Sequence, residues 1–213
     1  MDIVCLLFDG ITALDIVGPY EVLQRLPDAN VKFVAASSGE IRTDNNFLGM
    51  VADFSLAEVQ SADVLVVPGG FATRALESDS ALLDWIRAID TTTTWTTSVC
   101  TGSMLLAAAG LLEGKQATTH WASLDRLQEY GAIPTGRRVV EQGKIVTAAG
   151  VSSGIDMGLT LAARIAGDEY AQGIQLGIEY DPQPPFDAGC LDKAPAPVAE
   201  YMTALYGARG LSN

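Results

Sequence analysis

The sequence predicts a three-layer α/β fold in which a mainly parallel sheet carries helices on both faces. Three observations favour this fold: short apolar runs alternate with helix-forming segments, the connections are short, and two runs end in turns of small residues that lead into helices. The chain has 213 residues, the length of one large α/β domain, and contains no internal repeat or linker. We therefore expect residues 1–213 to form a single domain.

The N-terminal third of the chain predicts strands and a helix in alternation. Ile3–Phe8 is apolar throughout and ends at a turn, the pattern of a strand that is covered on both faces. A helix follows over Tyr20–Leu26, with Pro19 in its first turn and Asp15 in the loop before it. The remaining predictions in this part are strands at Val31–Ala36 and Val64–Val67 and a hairpin within Gly39–Ala52.

The rest of the chain continues the alternation. Asp79–Ile89 predicts a helix that Asp79 caps, and Thr94–Val99 predicts the strand that leads to Cys100. Beyond Cys100 we expect helices at Met104–Leu112, from His120 onward, and at Ile155–Ala166, Tyr170–Ile178 and Val198–Leu205, with short strands at Ala117–Thr119, Ala132–Pro134, Arg138–Val140 and Lys144–Thr147.

Composition and charge exclude several classes of function. The chain carries 13 Lys and Arg against 26 Asp and Glu, and its formal charge of -13 repels phosphate backbones and anionic membranes, so we expect neither nucleic acid nor membrane as a partner. No apolar run is long enough to span a bilayer, and the start MDIVCLLF lacks the features of a signal peptide, so we expect a cytoplasmic location. The three cysteines and the single histidine lack metal-ligand spacing, and we expect neither metal nor cofactor.

Cys100 lies where the predicted strand Thr94–Val99 bends sharply into a helix. Thr101, Gly102 and Ser103 supply the small residues that such a bend needs. Unpaired N–H groups at a helix N-terminus favour an anion, so we expect the thiol to have a lowered pKa and to point into solvent as a nucleophile. The same pattern is also compatible with a small buried cysteine in a tight turn.

Other segments of small residues predict the walls of a cleft beside Cys100. Glycines after the strand Val64–Val67 permit a close approach of the backbone to a ligand. A second strand-to-helix joint, Ala148–Gly154, is expected to face the same cleft, because sites in open α/β sheets lie where such joints meet. Trp121 fits either an apolar wall or the core. The resulting candidates for substrate contact are Gly70, Trp121, Val151 and Ser152.

A nucleophilic cysteine needs a group that exchanges protons with it, and the sequence offers two candidates. His120 is the obvious base, but its position between threonines and a tryptophan favours a structural role. Asp15 follows the first strand and is expected at the same edge of the sheet as Cys100. A carboxylate beside a thiol shares a proton with it, so the two groups would titrate as a unit. A helix-capping role for Asp15 stays open.

Several motifs resemble the PfpI-like cysteine superfamily, which is related to the class I glutamine amidotransferases and has a flavodoxin-like fold. The motifs are LDIVGPYEVL around Asp15, VVPGG at Val66–Gly70, TSVCTGS at Thr97–Ser103, GLLEGKQATTHW at Gly110–Trp121 and GIDMGLTLA at Gly154–Ala162. Within the superfamily the sequence most resembles the isocyanide (isonitrile) hydratases, and the tail QLGIEYDPQPPFDAG at Gln175–Gly189 is similar to the ending of that branch.

The resemblance implies a set of roles. Cys100 would be the nucleophile, Asp15 its acidic partner, and Thr101 a neighbour that shapes the site. An isocyanide would be hydrated to an N-substituted formamide through a thioimidate on Cys100, and the chain would form a homodimer. Most of the superfamily has Glu at the acidic position, and Asp15 agrees with the hydratase branch. Protease members carry His after the nucleophile, so Thr101 argues against peptidase activity.

Two other functions stay open. Similar LD..GP and ATTHW motifs occur in domains that resemble the amidotransferase half of AraC-type regulators, which would make this chain a ligand-sensing module. The acidic charge and the 23 residues that follow Cys190 argue against an attached DNA-binding domain. The other alternative is a redox sensor in which Cys100 is oxidised to a sulfinate that Asp15 stabilises.

Overall fold

The computed structural model describes residues 1–208, and its centre is a seven-stranded sheet. The strands are β1 (Asp2–Leu6), β2 (Asn30–Ala35), β3 (Gly39–Arg42), β4 (Gly49–Ala52), β5 (Phe54–Ser55), β6 (Val64–Val67), β7 (Trp95–Val99), β8 (Gln116–Ala117), β9 (Ile133–Pro134), β10 (Val139–Gln142) and β11 (Ile145–Ala148). The order in the large sheet is β10-β11-β7-β6-β1-β2-β5, and its neighbours are parallel except for the antiparallel pair β10 and β11. The predicted hairpin is confirmed, because β3 and β4 pair in antiparallel fashion.

Helices flank this sheet in two groups. They are α1 (Ala13–Leu23), α2 (Thr73–Leu76), α3 (Ser80–Asp90), α4 (Gly102–Ala108), α5 (Ser153–Ala166), α6 (Asp168–Gly177) and α7 (Ala196–Ala208). α5 packs against α1 and α6, whereas α4 packs against α2 and α3. The predicted α/β fold with a mainly parallel sheet is confirmed. Within residues 1–208, no helix combines the length and the hydropathy that crossing a bilayer requires.

The middle of the sheet is buried, which explains why its strands read as apolar runs. Every residue of β6 is fully buried, and the adjacent β1 is buried from Ile3 onward. β7 is buried from Thr96 onward although it contains hydroxyl side chains, and the Thr97 hydroxyl donates a hydrogen bond to Leu65 O at 2.9 Å. Helices on both faces of these strands exclude water, so apolar side chains are favoured on both faces.

The first helix differs from the prediction in a way that moves a candidate site residue. Pro19 lies inside α1 rather than in its first turn, and Asp15 lies in that first turn rather than in a loop. α1 packs so closely on α5 that a β-carbon on Gly154 would lie 2.9 Å from Cδ of Pro19. Close packing between the two helices therefore outweighs the local preference against proline in a helix interior.

The prediction of a regular helix from His120 onward is wrong. The chain forms two 3₁₀ segments instead, Trp121–Ser123 and Asp125–Tyr130, and their backbone N–H groups bond to carbonyls three residues earlier. Leu127 is still fully buried, because tight turns can direct one side chain inward as well as a regular helix does. Gly131, with a φ of 73°, then ends the segment.

Other boundaries are close to their predictions. α4 begins two residues before the predicted Met104, and Gly110 reverses the chain with a φ of 80° soon after the helix ends. β8 is shorter than the strand predicted at Ala117–Thr119. Asp79 caps α3 as predicted, since its Oδ1 accepts hydrogen bonds from the N–H groups of Ala81 and Leu82, each at 3.1 Å.

A buried ion pair joins two segments that lead to the sheet edge where Cys100 lies. Arg126 Nη2 donates to Glu77 Oε2 at 2.6 Å, and the Tyr130 hydroxyl donates to the same oxygen at 2.8 Å. The side chains of Arg126 and Glu77 are 5% and 7% exposed. Glu77 ends α2 and Arg126 lies in the second 3₁₀ segment, so the pair ties the loop after β6 to the segment after His120.

We expect Glu77→Gln to destabilise the protein by about 3–5 kcal/mol, because it leaves the Arg126 guanidinium buried without a counter-charge. The matched control is Glu141→Gln, which breaks the largely exposed pair with Arg164 and should cost less than about 1 kcal/mol. Urea unfolding of both variants measures the difference. Equal small losses for the two variants would show that the buried pair does not hold these segments together.

Candidate active site

Cys100 occupies a strained turn between β7 and α4. Its φ of 57° lies in the left-handed region, which costs a non-glycine residue about 1–2 kcal/mol. The turn is held from both sides. The Cys100 N–H donates to the carbonyls of Ala148 and Ala149 at 3.1 and 3.2 Å, and its carbonyl accepts from the hydroxyls of Thr119 at 2.9 Å and Ser103 at 3.1 Å. The second small-residue joint therefore lies directly beside the first, as the sequence predicts.

Asp15 reaches the same place from the first turn of α1. Its side chain is fully buried, and its Oδ2 accepts a hydrogen bond from the Gly69 N–H at 3.0 Å. The carboxyl also lies close enough to the Cys100 thiol for each group to shift the pKa of the other. Oδ1 is buried and has no hydrogen-bond partner among residues 1–208. The structure thus brings the predicted acid and the predicted nucleophile together.

Burial sets the protonation of this pair. It raises the pKa of Asp15 from 3.8 to about 7, although the hydrogen bonds from Cys100 and Gly69 act in the opposite direction. Burial also raises the pKa of the Cys100 thiol well above its ordinary value, and the Asp15 carboxylate raises it further. Above about pH 7 the two groups therefore share one proton, and below it they hold two.

The prediction of a thiolate at a helix N-terminus is wrong. Cys100 is only 6% exposed, so its side chain does not point into open solvent. The following helix, α4, has only seven residues and begins at Gly102, and the hydrogen bonds from Thr101 to the sulfur do not offset the burial. In a site this deeply buried, the loss of hydration affects the pKa of the thiol more than the field of one short helix does.

Thr101 and Gly70 are joined by hydrogen bonds. The Gly70 N–H donates to Thr101 Oγ1 at 3.1 Å, and the Thr101 hydroxyl lies 3.3 Å from the Gly70 carbonyl, to which it donates. Gly69, just before, has no room for a side chain, because a β-carbon there would lie 2.5 Å from Thr101 N and 2.9 Å from Asp15 Oδ2. The Gly70 N–H is thus already bound to the Thr101 hydroxyl.

A cavity of about 260 Å³ opens beside the thiol. It contains three predicted site residues, Cys100, Thr101 and Val151. Asp15 and Gly70 do not line it. Asp15 instead contacts Cys100 and Gly69, both of which lie in or next to the cavity wall. A reactant in the cavity would meet the sulfur directly and the carboxyl through its contact with the sulfur.

Trp121 and Ser152 lie outside this cavity. Trp121 lines a separate cavity of about 500 Å³, together with Ala149, Gly150 and the loop that carries Cys190. Ser152 Oγ accepts a hydrogen bond from Arg138 Nη2 at 3.1 Å. The Trp121 ring does reach the site indirectly, because it packs against the imidazole of His120 with 5.4 Å between ring centroids.

His120 lines the cavity with Cys100 but is a poor base. Burial lowers the pKa of its imidazole to about 4, so the ring is neutral at pH 7. Its Nδ1 accepts a hydrogen bond from the Ala122 N–H at 3.3 Å, which leaves the ring proton on Nε2. Gly150 makes space for this ring, because a β-carbon at that position would collide with it. These contacts support the structural role that the sequence favours.

Sequence reasoning missed five residues of the cavity. Thr12, Asp44, Phe71, Ser123 and Tyr206 also line it. Phe71 follows the predicted glycine loop directly, so the position of that loop was a usable signal. Asp44 comes from the turn between β3 and β4, where the Thr12 hydroxyl donates to its Oδ2 at 3.0 Å. No local pattern marks Tyr206, which the distant helix α7 carries to the site.

The fold and this cysteine–aspartate site define the class of protein. The DJ-1/PfpI family model matches residues 1–164, and the chain belongs to this family. The resemblance to the PfpI-like superfamily is therefore confirmed.

Three known proteins are similar to this chain over much of its length. An isonitrile hydratase of Pseudomonas putida is 44% identical over 195 residues, which cover 92% of this chain and 85% of the hydratase. The crystal structure of a THiJ/PfpI family protein from Pseudomonas syringae superposes with a TM-score of 0.94 at 39% identity, covering 97% of this chain and 86% of that one. The HTH-type transcriptional regulator CdhR of Pseudomonas aeruginosa is 33% identical over 153 residues, which cover 70% of this chain and 43% of the regulator.

We expect Asp15→Asn to stabilise the protein above neutral pH. Because the folded-state pKa of Asp15 is raised, wild-type stability is highest below the unfolded pKa of 3.8 and falls as the pH rises through about 7. The asparagine variant lacks this loss. Its free energy of unfolding therefore exceeds that of the wild type by an amount that grows between pH 4 and pH 7 and reaches at most about 4 kcal/mol.

Chemical denaturation at pH 4 and pH 8 measures this advantage. The control is Asp53→Asn, which changes an exposed carboxyl on the surface and should shift stability little at either pH. A destabilised Asp15→Asn variant at pH 8 would contradict the raised pKa.

Proposed function

We propose that the protein hydrates isonitriles to N-substituted formamides, with Cys100 as nucleophile and Asp15 as general acid and base. The observation that carries this proposal is the buried thiol–carboxyl pair that shares one proton beside a cavity of about 260 Å³. The 44% identity to an isonitrile hydratase supports the choice of substrate. An isonitrile carbon must gain both a nucleophile and a proton, and this pair holds one of each.

The first step joins the thiol to the terminal carbon. The proton moves from the Cys100 thiol to the Asp15 carboxylate, which leaves the net charge of the buried pair unchanged. The thiolate then attacks the carbon while Asp15 returns the proton to it, giving a thioimidate, Cys100–S–CH=N–R. The thiol has thereby added across the terminal carbon, and Asp15 is again ionised. Oδ1 of Asp15, which has no hydrogen-bond partner within the described part of the chain, is the oxygen that is available to hold the travelling proton.

The second step hydrates the thioimidate. Asp15 takes a proton from water, the hydroxide adds to the carbon, and the proton passes to the nitrogen. The tetrahedral adduct then expels Cys100, whose sulfur recovers the hydroxyl proton by way of Asp15, and the formamide R–NH–CHO leaves. His120 takes no part in this proton transfer, because a ring that is neutral with a pKa of about 4 is a weak base at pH 7.

Thr101 positions the sulfur in this scheme. Thr101, the residue after Cys100, acts on the sulfur in the direction that lowers the pKa of the thiol and so favours the anionic form that attacks. Because the Gly70 N–H is held by Thr101 Oγ1, the role of Gly70 is to fix that hydroxyl rather than to contact the substrate. We propose Thr101 as the donor nearest to charge that builds up on the leaving sulfur.

We expect Cys100→Ala and Asp15→Asn each to reduce formamide formation by about a thousandfold or more. Purified protein is incubated with phenyl isocyanide, and the formamide is measured by chromatography. The control is Cys190→Ser, which changes an exposed cysteine outside the cavity and should retain wild-type turnover. Wild-type protein that binds the isonitrile without forming formamide would instead favour the ligand-sensing alternative.

The pH dependence of kcat/KM gives a separate prediction. The active form is the pair with one proton, so protonation of the Asp15 carboxylate below about pH 7 should remove activity, tenfold per pH unit. The rate should stay level above pH 7, because the pKa of the thiol lies well above 9. A profile that is flat from pH 5 to pH 8 would contradict the assignment of Asp15.

A further inference from the structure

The helix α7 packs on the protein with one face and contributes Tyr206 to the cavity beside Cys100. None of its residues is fully buried, but the side chains that are partly buried recur at helical spacing. These residues are Ala199, Met202, Leu205 and Tyr206. The rest of the helix surface is open, and Tyr201, beside the stripe, is 67% exposed. The helix therefore lies on the protein through a single stripe, and this stripe ends at the cavity beside Cys100.

The Tyr206 ring belongs to a cluster of three rings. Its centroid lies 5.0 Å from that of His120 and 5.3 Å from that of Trp121, against which it packs edge-on at 69°. His120 and Trp121 are themselves in contact, so each ring touches the other two. Such contacts fix the position of an aromatic side chain on an otherwise exposed helix. Tyr206 is thus a defined wall of the cavity.

The dimensions of the cavity limit what it can hold. Its 260 Å³ is smaller than the roughly 300–1,000 Å³ of typical ligand pockets. The walls around the thiol include the rings of Phe71, His120 and Tyr206 and the side chain of Val151, and flat aromatic groups pack well against such rings. The polar side chains of Thr12 and Asp44 also line the cavity, but they hydrogen-bond to each other. The space is suited to one flat ring.

We propose that Tyr206 determines specificity: it limits the isonitrile substituent to about one aromatic ring. The inference rests on the proposed function and adds the substrate class, aryl isonitriles with a single ring. Tyr206 acts through the space that its ring fills, so shortening it should open the cavity toward α7 without disturbing Cys100 or Asp15.

The first experiment compares phenyl isocyanide with 2-naphthyl isocyanide. Tyr206→Ala should raise the ratio of kcat/KM for the naphthyl over the phenyl substrate by about tenfold or more. Tyr206→Phe should keep the wild-type ratio, because the ring remains. Tyr201→Ala, on the open face of the same helix, is the matched control and should also keep it. An unchanged ratio in Tyr206→Ala would overturn the proposal.

A second measurement does not depend on isonitrile turnover. In a Cys190→Ser background, alkylation of Cys100 by iodoacetamide and by a naphthyl maleimide is followed by mass spectrometry at pH 9. Tyr206→Ala should accelerate the bulky reagent selectively, by about tenfold relative to the small one, and Tyr201→Ala should not. Equal acceleration of both reagents would overturn the proposal. Selective acceleration without any formamide would reject the proposed function while keeping Tyr206 as the wall.

Discussion

The close approach of three chain segments around one buried carboxyl is the constraint on which the site depends. Asp15 from α1, the backbone of Gly69 after β6 and Thr101 after β7 lie so near each other that a β-carbon on Gly69 would be 2.5 Å from Thr101 N. The segments follow β1, β6 and β7, which are neighbours in the sheet, and parallel order brings the carboxyl ends of these strands to one edge. The sheet register therefore sets how near the acid lies to the thiol of Cys100.

Burial is the second property of this arrangement, and it sets the protonation states of the site residues. Burial holds the pKa of Asp15 near neutrality and keeps the imidazole of His120 uncharged, so above about pH 7 the thiol–carboxyl pair carries one exchangeable proton. Among the described residues that line the cavity, none is Lys or Arg. A carboxyl whose ionisation is opposed in this way destabilises the fold but is matched to proton transfer near pH 7. Burial and the Asp15 carboxylate together keep Cys100 in the thiol form.

The sequence was informative where the signal is local and failed where distant segments meet. The apolar run of Val64–Val67 predicted β6 with its observed bounds, and the small residues around Cys100 predicted a sharp turn. The sign of the thiol pKa shift could not be predicted, because it depends on burial by segments far along the chain. Tyr206 carried no signal for the same reason. The single domain over residues 1–213 and the homodimer stay predictions.

Carbon-13 NMR of the Asp15 carboxyl, in protein labelled at aspartate and assigned with Asp15→Asn, tests the shared proton most directly. We expect this carboxyl to titrate near pH 7, and its pKa to rise further in Cys100→Ala, because the thiol hydrogen bond lowers it in the wild type. A carboxyl that titrates near pH 4, and that does not respond to the loss of the thiol, would contradict the coupled pair.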